Sequence, residues 1–225
     1  RDRQCAQRIG RRAVTRPSPA AGGGCGPVTA VILAAGHSRR MGQRNKLLLP
    51  IGDTPMIQQV ALAVLASRAD PVIVVTGFEG VAVRAALAGL KLVLADNPCP
   101  DKGLSSSLRI GLSALPADCA ATLVCLGDMP RVGAVHIDAL VAAFQQHGEE
   151  PICVPTYGGR RGNPVLWPVR LFGEIKALTG DAGARALLAR YADQVLAVAM
   201  ADSAVLVDVD TPGCLGQLGT PTDAV

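Results

Sequence analysis

Residues 31–49, VILAAGHSRRMGQRNKLLL, set an apolar run, a small-residue break ending at Gly36, and four cations, Arg39, Arg40, Arg44 and Lys46, ahead of a second apolar run. A loop that leaves a buried strand through small residues can turn its backbone amides on an anion, and the stretch from Gly36 to Gly42 is built that way. Guanidinium and ammonium groups beside it would neutralise further negative charge. The combination predicts a cradle for a polyphosphate, set against the plainer alternative of a solvated basic loop. It is not a Walker A loop, because the GKS or GKT ending is absent, and its glycines are misplaced for GxGxxG.

A second constellation, LVCLGDMPRV, runs a buried strand out into Gly127, Asp128 and Pro130. Asp and Pro are ordinary turn residues, so this turn by itself carries little. Paired with a phosphate cradle it says more, since a carboxylate at the strand edge can hold Mg²⁺ against triphosphate oxygens. The stretch VLVDVDTPG adds Asp208 and Asp210. Mg²⁺ keeps few protein carboxylates, so Asp128 plus one of these two would suffice, and the choice between them stays open. Asp210 could equally cap a helix after Pro212.

These residues need elements to hold them. Beyond residue 28, short β-rich runs alternate with longer amphipathic stretches, which predicts an α/β fold with a mostly parallel sheet covered by helices. Strands are expected at Thr29–Leu33, Val72–Thr76, Lys91–Ala95, Thr122–Leu126, Ile152–Pro155, Val195–Ala199 and Val205–Val209. Helices are expected at Pro55–Ser67, Gly80–Ala88, Ser105–Leu115, Ala134–Gln146, Val169–Leu178 and Gly183–Tyr191. Start signals precede several: Thr54 then Pro55, Ser105 in a serine run, and Asp181 before AGARALL. In an open sheet of this kind ligands bind beyond the carboxyl ends of the strands, where both constellations fall.

The 225 residues, 49% of them hydrophobic, are enough for one well-buried domain. No run approaches the roughly 18 apolar residues of a membrane span. The net charge of +4 is concentrated in residues 1–26, so the rest is nearly neutral. With 3% aromatics and no basic stripe among stacking residues, the body lacks the footprint of a nucleic-acid binder. Residues 1–27 read as a disordered basic and Gly-rich extension, residues 28–218 as the domain, and residues 219–225 as a C-terminal tail. The seven cysteines form no CxxC pair; they read as structural bystanders, which fits the cytoplasm.

LAAGHSRRMGQRNKLLLP, NPCPDKGLSSSLRIGL, LVCLGDMP, GRRGNPVLW, GDAGARALL and VDVDTP occur in the order seen in MobA-like nucleotidyltransferases. The chain most resembles the molybdenum cofactor cytidylyltransferases among them. The resemblance implies a Rossmann-like nucleotidyltransferase fold, a three-layer α/β/α sandwich, in which a cofactor phosphate attacks the α-phosphorus of an NTP. It maps Leu33, Ala34, Ala35 and Gly36 onto the nucleotide-holding turn, Arg40 and Lys46 onto its arginine and lysine, and Asp128 onto the Mg²⁺ aspartate. Substrates would be CTP and molybdopterin, with a molybdoenzyme client or chaperone as a possible protein partner and no nucleic acid or membrane.

On the same resemblance, Gly103 with Ser105, Ser106 and Ser107 would stand near the base and ribose, their hydroxyls free to hydrogen-bond. In the family LAAG accompanies cytidylyl transfer and LAGG guanylyl transfer, so Ala35 points to CTP. Arg160, Arg161, Gly162 and Asn163 would grip the anionic pterin phosphate, although many relatives carry His where Asn163 stands. Asp181 caps a helix or, with Arg185, contacts ligand. His37, His136 and His147 are given no catalytic role, the last two lying on an expected surface helix, and Trp167 is read as core or pocket wall rather than a stacking platform. Open alternatives are a transferase using GTP or a sugar-phosphate acceptor, and a non-catalytic molybdenum cofactor-binding chaperone.

Overall fold

Residues Val28–Ala34 form strand β1, buried at every position, as an unbroken apolar run must be when a strand is covered on both faces. It lies at the centre of a computed structural model that describes residues 26–37, 45–180 and 184–209. After β1 come a 3-10 turn at Lys46–Leu48, a small hairpin of β2 (Pro50–Ile51) and β3 (Thr54–Pro55), and helix α1 (Met56–Leu65). Then follow β4 (Val72–Thr76), α2 (Gly80–Ala86), β5 (Val93–Asp96), α3 (Leu104–Ser113), β6 (Ala121–Leu126) and α4 (Ala134–Gln146). The chain continues through β7 (Ile152–Tyr157), β8 (Arg160–Arg161), β9 (Val165–Pro168), α5 (Phe172–Ala177), α6 (Arg185–Arg190) and β10 (Val195–Ala199).

The main sheet has the order β10-β7-β9-β6-β1-β4-β5, with β8 paired to β7. β1 runs parallel to both β4 and β6, β4 to β5, and β7 to β10, whereas β9 is antiparallel to β6 and β7. Alternate residues of the strands feed two apolar layers. Ala30, Ile32, Val74 and Cys125 meet Met56 and Ile57 of α1, Val83 of α2 and Ile137 and Leu140 of α4. Val31, Leu33, Ile73 and Val124 meet Leu108 and Leu112 of α3, Ile175 of α5 and Leu187 of α6. The result is the expected three-layer, Rossmann-like α/β/α sandwich.

Two expected elements differ. Val205–Val209 is not a strand: Val205 and Leu206 belong to a 3-10 turn at Ser203–Leu206, capped by the Asp202 carboxylate, which accepts the Ala204 N–H at 2.8 Å. Val205 and Val209 are buried while Val207 between them is only half-buried, so the segment does not bury every second residue as a covered strand would. Helix α3 begins at Leu104 and not at Ser105, with Gly103 in the cap position at φ +84°, a left-handed conformation that favours glycine. The antiparallel strand β9 lies within VLWP, a run too short to announce itself. Trp167 on it is 1% exposed and belongs to the core.

Cys119, Cys125 and Cys153 are buried free thiols, and burial pushes the Cys125 thiol up to about 12, as inert structural cysteines require. Cys99 is disulfide-bonded, so the expectation that all seven are bystanders was too broad. Among the described residues no helix is long and apolar enough to cross a membrane.

Helix α3 crosses the sheet at Gly111, where a Cβ would collide with Val31 Cγ1 and stand 3.2 Å from Val75 Cγ2. Both valines are β-branched and buried, so neither can rotate aside cheaply. Gly111→Ala should lower stability by about 1–2 kcal/mol, overpacking outweighing the gain in helix propensity. Thermal unfolding should show a midpoint lower by about 3–6 °C, and an unchanged or higher midpoint would contradict this packing.

Candidate functional site

The chain leaves β1 toward β4 on one side and later reaches β6 on the other, so the segments following β1 and β6 diverge. A sheet opens a crevice at such a point, beyond the carboxyl ends of its strands. Leu33 is paired with Leu126 at the ends of the two strands, and the Gly127 N–H donates to the Leu33 carbonyl at 3.1 Å. The two constellations therefore emerge side by side.

Lys46 and Asp128 meet across this crevice, Lys46 Nζ donating to Asp128 Oδ2 at 2.6 Å, with the side chains 14% and 19% exposed. The other carboxylate oxygen, Asp128 Oδ1, is buried and has no hydrogen-bond partner. An acceptor left this way normally costs stability, so its persistence marks a place for a cation or donor. Among the described residues no three His, Cys, Asp or Glu side chains converge as a cage. One orphaned carboxylate oxygen fits a cation of the Mg²⁺ type, which takes most of its ligands from phosphate and water. Asp208 is exposed in the segment beside it. Arg40 and Asp210, like Arg39 and Arg44, lie outside the described residues.

Of the expected turn Leu33–Gly36, Leu33 and Ala34 are the last residues of β1, and only Ala35 and Gly36 follow it. Leu33, Ala34 and Ala35 are buried, and only Gly36 reaches solvent, with open space where a Cβ would stand. Ala35 turns its methyl toward Gly77, the residue after β4. The adjacent His37 ring stacks obliquely on Phe78 at 4.6 Å and stands 2.9 Å from the Asp101 carboxylate. The serines depart from expectation: Ser105, Ser106 and Ser107 are all buried. Asn97 Nδ2 donates to Ser106 Oγ at 2.8 Å and to Ser107 Oγ at 3.0 Å, and Ser106 Oγ donates to the Gly103 carbonyl at 2.8 Å. Rather than offering free hydroxyls, these two serines organise the 97–103 loop from within.

Arg160 and Arg161 are exposed on β8. Gly162 and Asn163 are instead tied to the segment 202–209. The Asn163 N–H donates to the Val205 carbonyl at 2.9 Å, and a Cβ on residue 162 would stand 2.8 Å from the Val205 carbonyl carbon. Farther along, the Val209 N–H donates to the Asp128 carbonyl at 2.9 Å. One segment thus braces both the 160–163 loop and the Asp128 loop.

Sequence reasoning missed what anchors that segment. His136 is 6% exposed, not on a surface face. Its Nδ1 accepts the Gly133 N–H at 3.0 Å, which in the neutral ring places the proton on Nε2, the atom 3.2 Å from Asp202 Oδ1. The only sequence signal was a His three residues after Gly133, at a helix start.

Residues 30–195 match the family model described as the MobA-like NTP transferase domain. The chain is 33% identical over 200 residues to the purine catabolism protein PucB of Bacillus subtilis, covering 81% of this chain and 91% of that one. It is 31% identical over 147 residues to a molybdenum cofactor guanylyltransferase of Mesorhizobium japonicum, covering 63% and 67%. A crystal structure of Rv0371c from Mycobacterium tuberculosis superposes with a TM-score of 0.76 at 28% identity, covering 87% and 98%, and a complex of Rv0371c with manganese with a TM-score of 0.69 at 27% identity, covering 85% and 97%.

The hydrogen bond from the Ala204 N–H, aided by His136, holds the Asp202 carboxyl below its ordinary value of 3.8. A depressed carboxyl contributes stability that is present above its unfolded value and is lost as pH falls through its folded value. Asp202→Asn should therefore unfold at lower urea concentration than the parent at about pH 5. The margin should shrink once the pH falls below 3.8. A margin that stays constant into acid would show that the Asp202 charge contributes nothing.

Proposed function

The chain belongs to the MobA-like NTP transferase family, and on that premise we propose that it transfers CMP from CTP to the phosphate of molybdopterin, releasing pyrophosphate. The observation that carries the catalytic part is the Lys46–Asp128 pair with its orphaned Oδ1 at the mouth of the crevice. A module that only binds and delivers a cofactor has no need of a cation-seeking carboxylate facing a phosphate turn.

In this reaction an oxygen of the acceptor phosphate forms a bond to the α-phosphorus of CTP, and the bond from that phosphorus to the bridging oxygen breaks, leaving its electrons on pyrophosphate. The attacking oxygen is already ionised at neutral pH, so no general base is called for. What the protein must supply is position and compensation of charge. Lys46 Nζ turns to the phosphate oxygens on which negative charge grows, with Arg40 assigned the same task. Asp128, with Asp208 or Asp210, would hold Mg²⁺, which when bound adds positive charge against the triphosphate oxygens. Leu33 to Gly36 supply the backbone turn, and Gly103 with Ser105 to Ser107 shape the loop beside the base. Arg160 and Arg161 would receive the anionic acceptor, with Gly162 and Asn163 holding their loop in place.

CTP is favoured by the LAAG form of the turn. GTP is the second candidate, because a relative named a guanylyltransferase is 31% identical to this chain. The deciding experiment compares CTP, GTP, ATP and UTP with molybdopterin as acceptor and Mg²⁺ present, reading pyrophosphate release. CTP should give the highest rate; a preference for GTP would change the base, and no release with any of the four would overturn the transferase assignment. Lys46→Ala and Asp128→Ala should each reduce turnover at least about 100-fold while remaining folded. Near-normal rates in both would move the active site elsewhere.

A further inference from the structure

Asn45 immediately precedes Lys46 and is 3% exposed. A side-chain amide is rarely so deep unless its hydrogen-bonding groups are met. Here they are met from two directions. Oδ1 accepts the Leu47 N–H at 3.1 Å and so caps the 3-10 turn that carries Lys46. Nδ2 donates to the Phe78 carbonyl at 3.3 Å, across 33 residues of sequence.

The Phe78 backbone is itself engaged, its N–H donating to the Ala35 carbonyl at 3.2 Å. Asn45 therefore links the Lys46 turn to the turn after β1 through the loop after β4. On the other flank of Lys46, Leu47 is 4% exposed and shares an apolar cluster with Met129, the residue after Asp128. The lysine stands between two buried neighbours, one hydrogen-bonded and one packed. Its backbone is fixed on both sides while its side chain spans to Asp128.

Resting on the transferase assignment above, we infer that Asn45 is a positioning residue, which sets the Lys46 backbone so that Nζ meets Asp128 and, in the reaction, the triphosphate. The chemistry of the position is specific. Serine has an oxygen for the cap but cannot reach Phe78. Aspartate keeps the capping oxygen and sets a carboxylate against the Phe78 carbonyl, acceptor facing acceptor. Only a side chain with an acceptor and a donor at this length serves both contacts.

The test is a double-mutant cycle of wild type, Asn45→Ala, Lys46→Ala and the double variant, reading Mg²⁺-dependent pyrophosphate release and, by calorimetry without the cation, affinity for CTP. If Asn45 acts through Lys46, Asn45→Ala should slow wild type by about ten-fold or more, since small misplacements of a charged group are costly. On the Lys46→Ala background it should cost less than about two-fold. CTP affinity should show the same loss in the first background and none in the second. Asn45→Ser should fall between wild type and Asn45→Ala, and Asn45→Asp should be slower than Asn45→Ser; these two carry the same cycle if the alanine variant does not fold. Equal fold losses in both backgrounds would mean general structural damage and overturn the inference while leaving the transferase assignment standing. A wild type that neither binds nor consumes any of the four triphosphates would overturn both.

Discussion

The ion pair between Lys46 and Asp128 joins residues 82 apart, and it exists because β1 and β6 run parallel, side by side, with their carboxyl ends level. That pairing is what the crossovers through α1, α2 and α3 serve. Each returns the chain to the same edge of the sheet, so every loop that follows a parallel strand faces one crevice. The two charges compensate each other at the edge of the core, where either alone would face a desolvation penalty.

Much of this was legible in sequence because the informative residues obey local rules. The short, mostly apolar runs of β1, β4 and β6, rich in β-branched residues, read as strands covered on both faces and are observed as such. Helix α4 was expected at its observed limits because its apolar positions recur at helical spacing after a glycine. The failures have equally local causes. Val205–Val209 looked like a strand because four of its five residues are β-branched or leucine, yet what fixes that segment is an Asp202 cap and the buried His136, a contact across 66 residues. The serine run looked like a set of free hydroxyls because Asn97, which occupies two of them, carries no sign in sequence of where its amide points.

Asn45 belongs to the same class of hidden determinants. The motif containing Lys46 draws attention to cations, and the neutral residue beside them reads as filler. Its importance appears only when burial and the partner at Phe78 are known, because both depend on how the loop after β4 approaches the turn after β1. Charged residues announce chemistry in a sequence, whereas the neutral residues that aim them are found by asking where each buried polar atom is satisfied.

The contact between Gly162 and Val205 bears on how variants of this protein are to be interpreted. Any side chain at position 162 presses on a carbonyl four residues before Val209, whose N–H holds the backbone of Asp128. The two loops are mechanically one body. A substitution at Gly162 would therefore also disturb the loop that carries Asp128. Its phenotype could not be assigned to either loop alone, whereas Arg160 and Arg161, exposed on β8, can be changed without that strain.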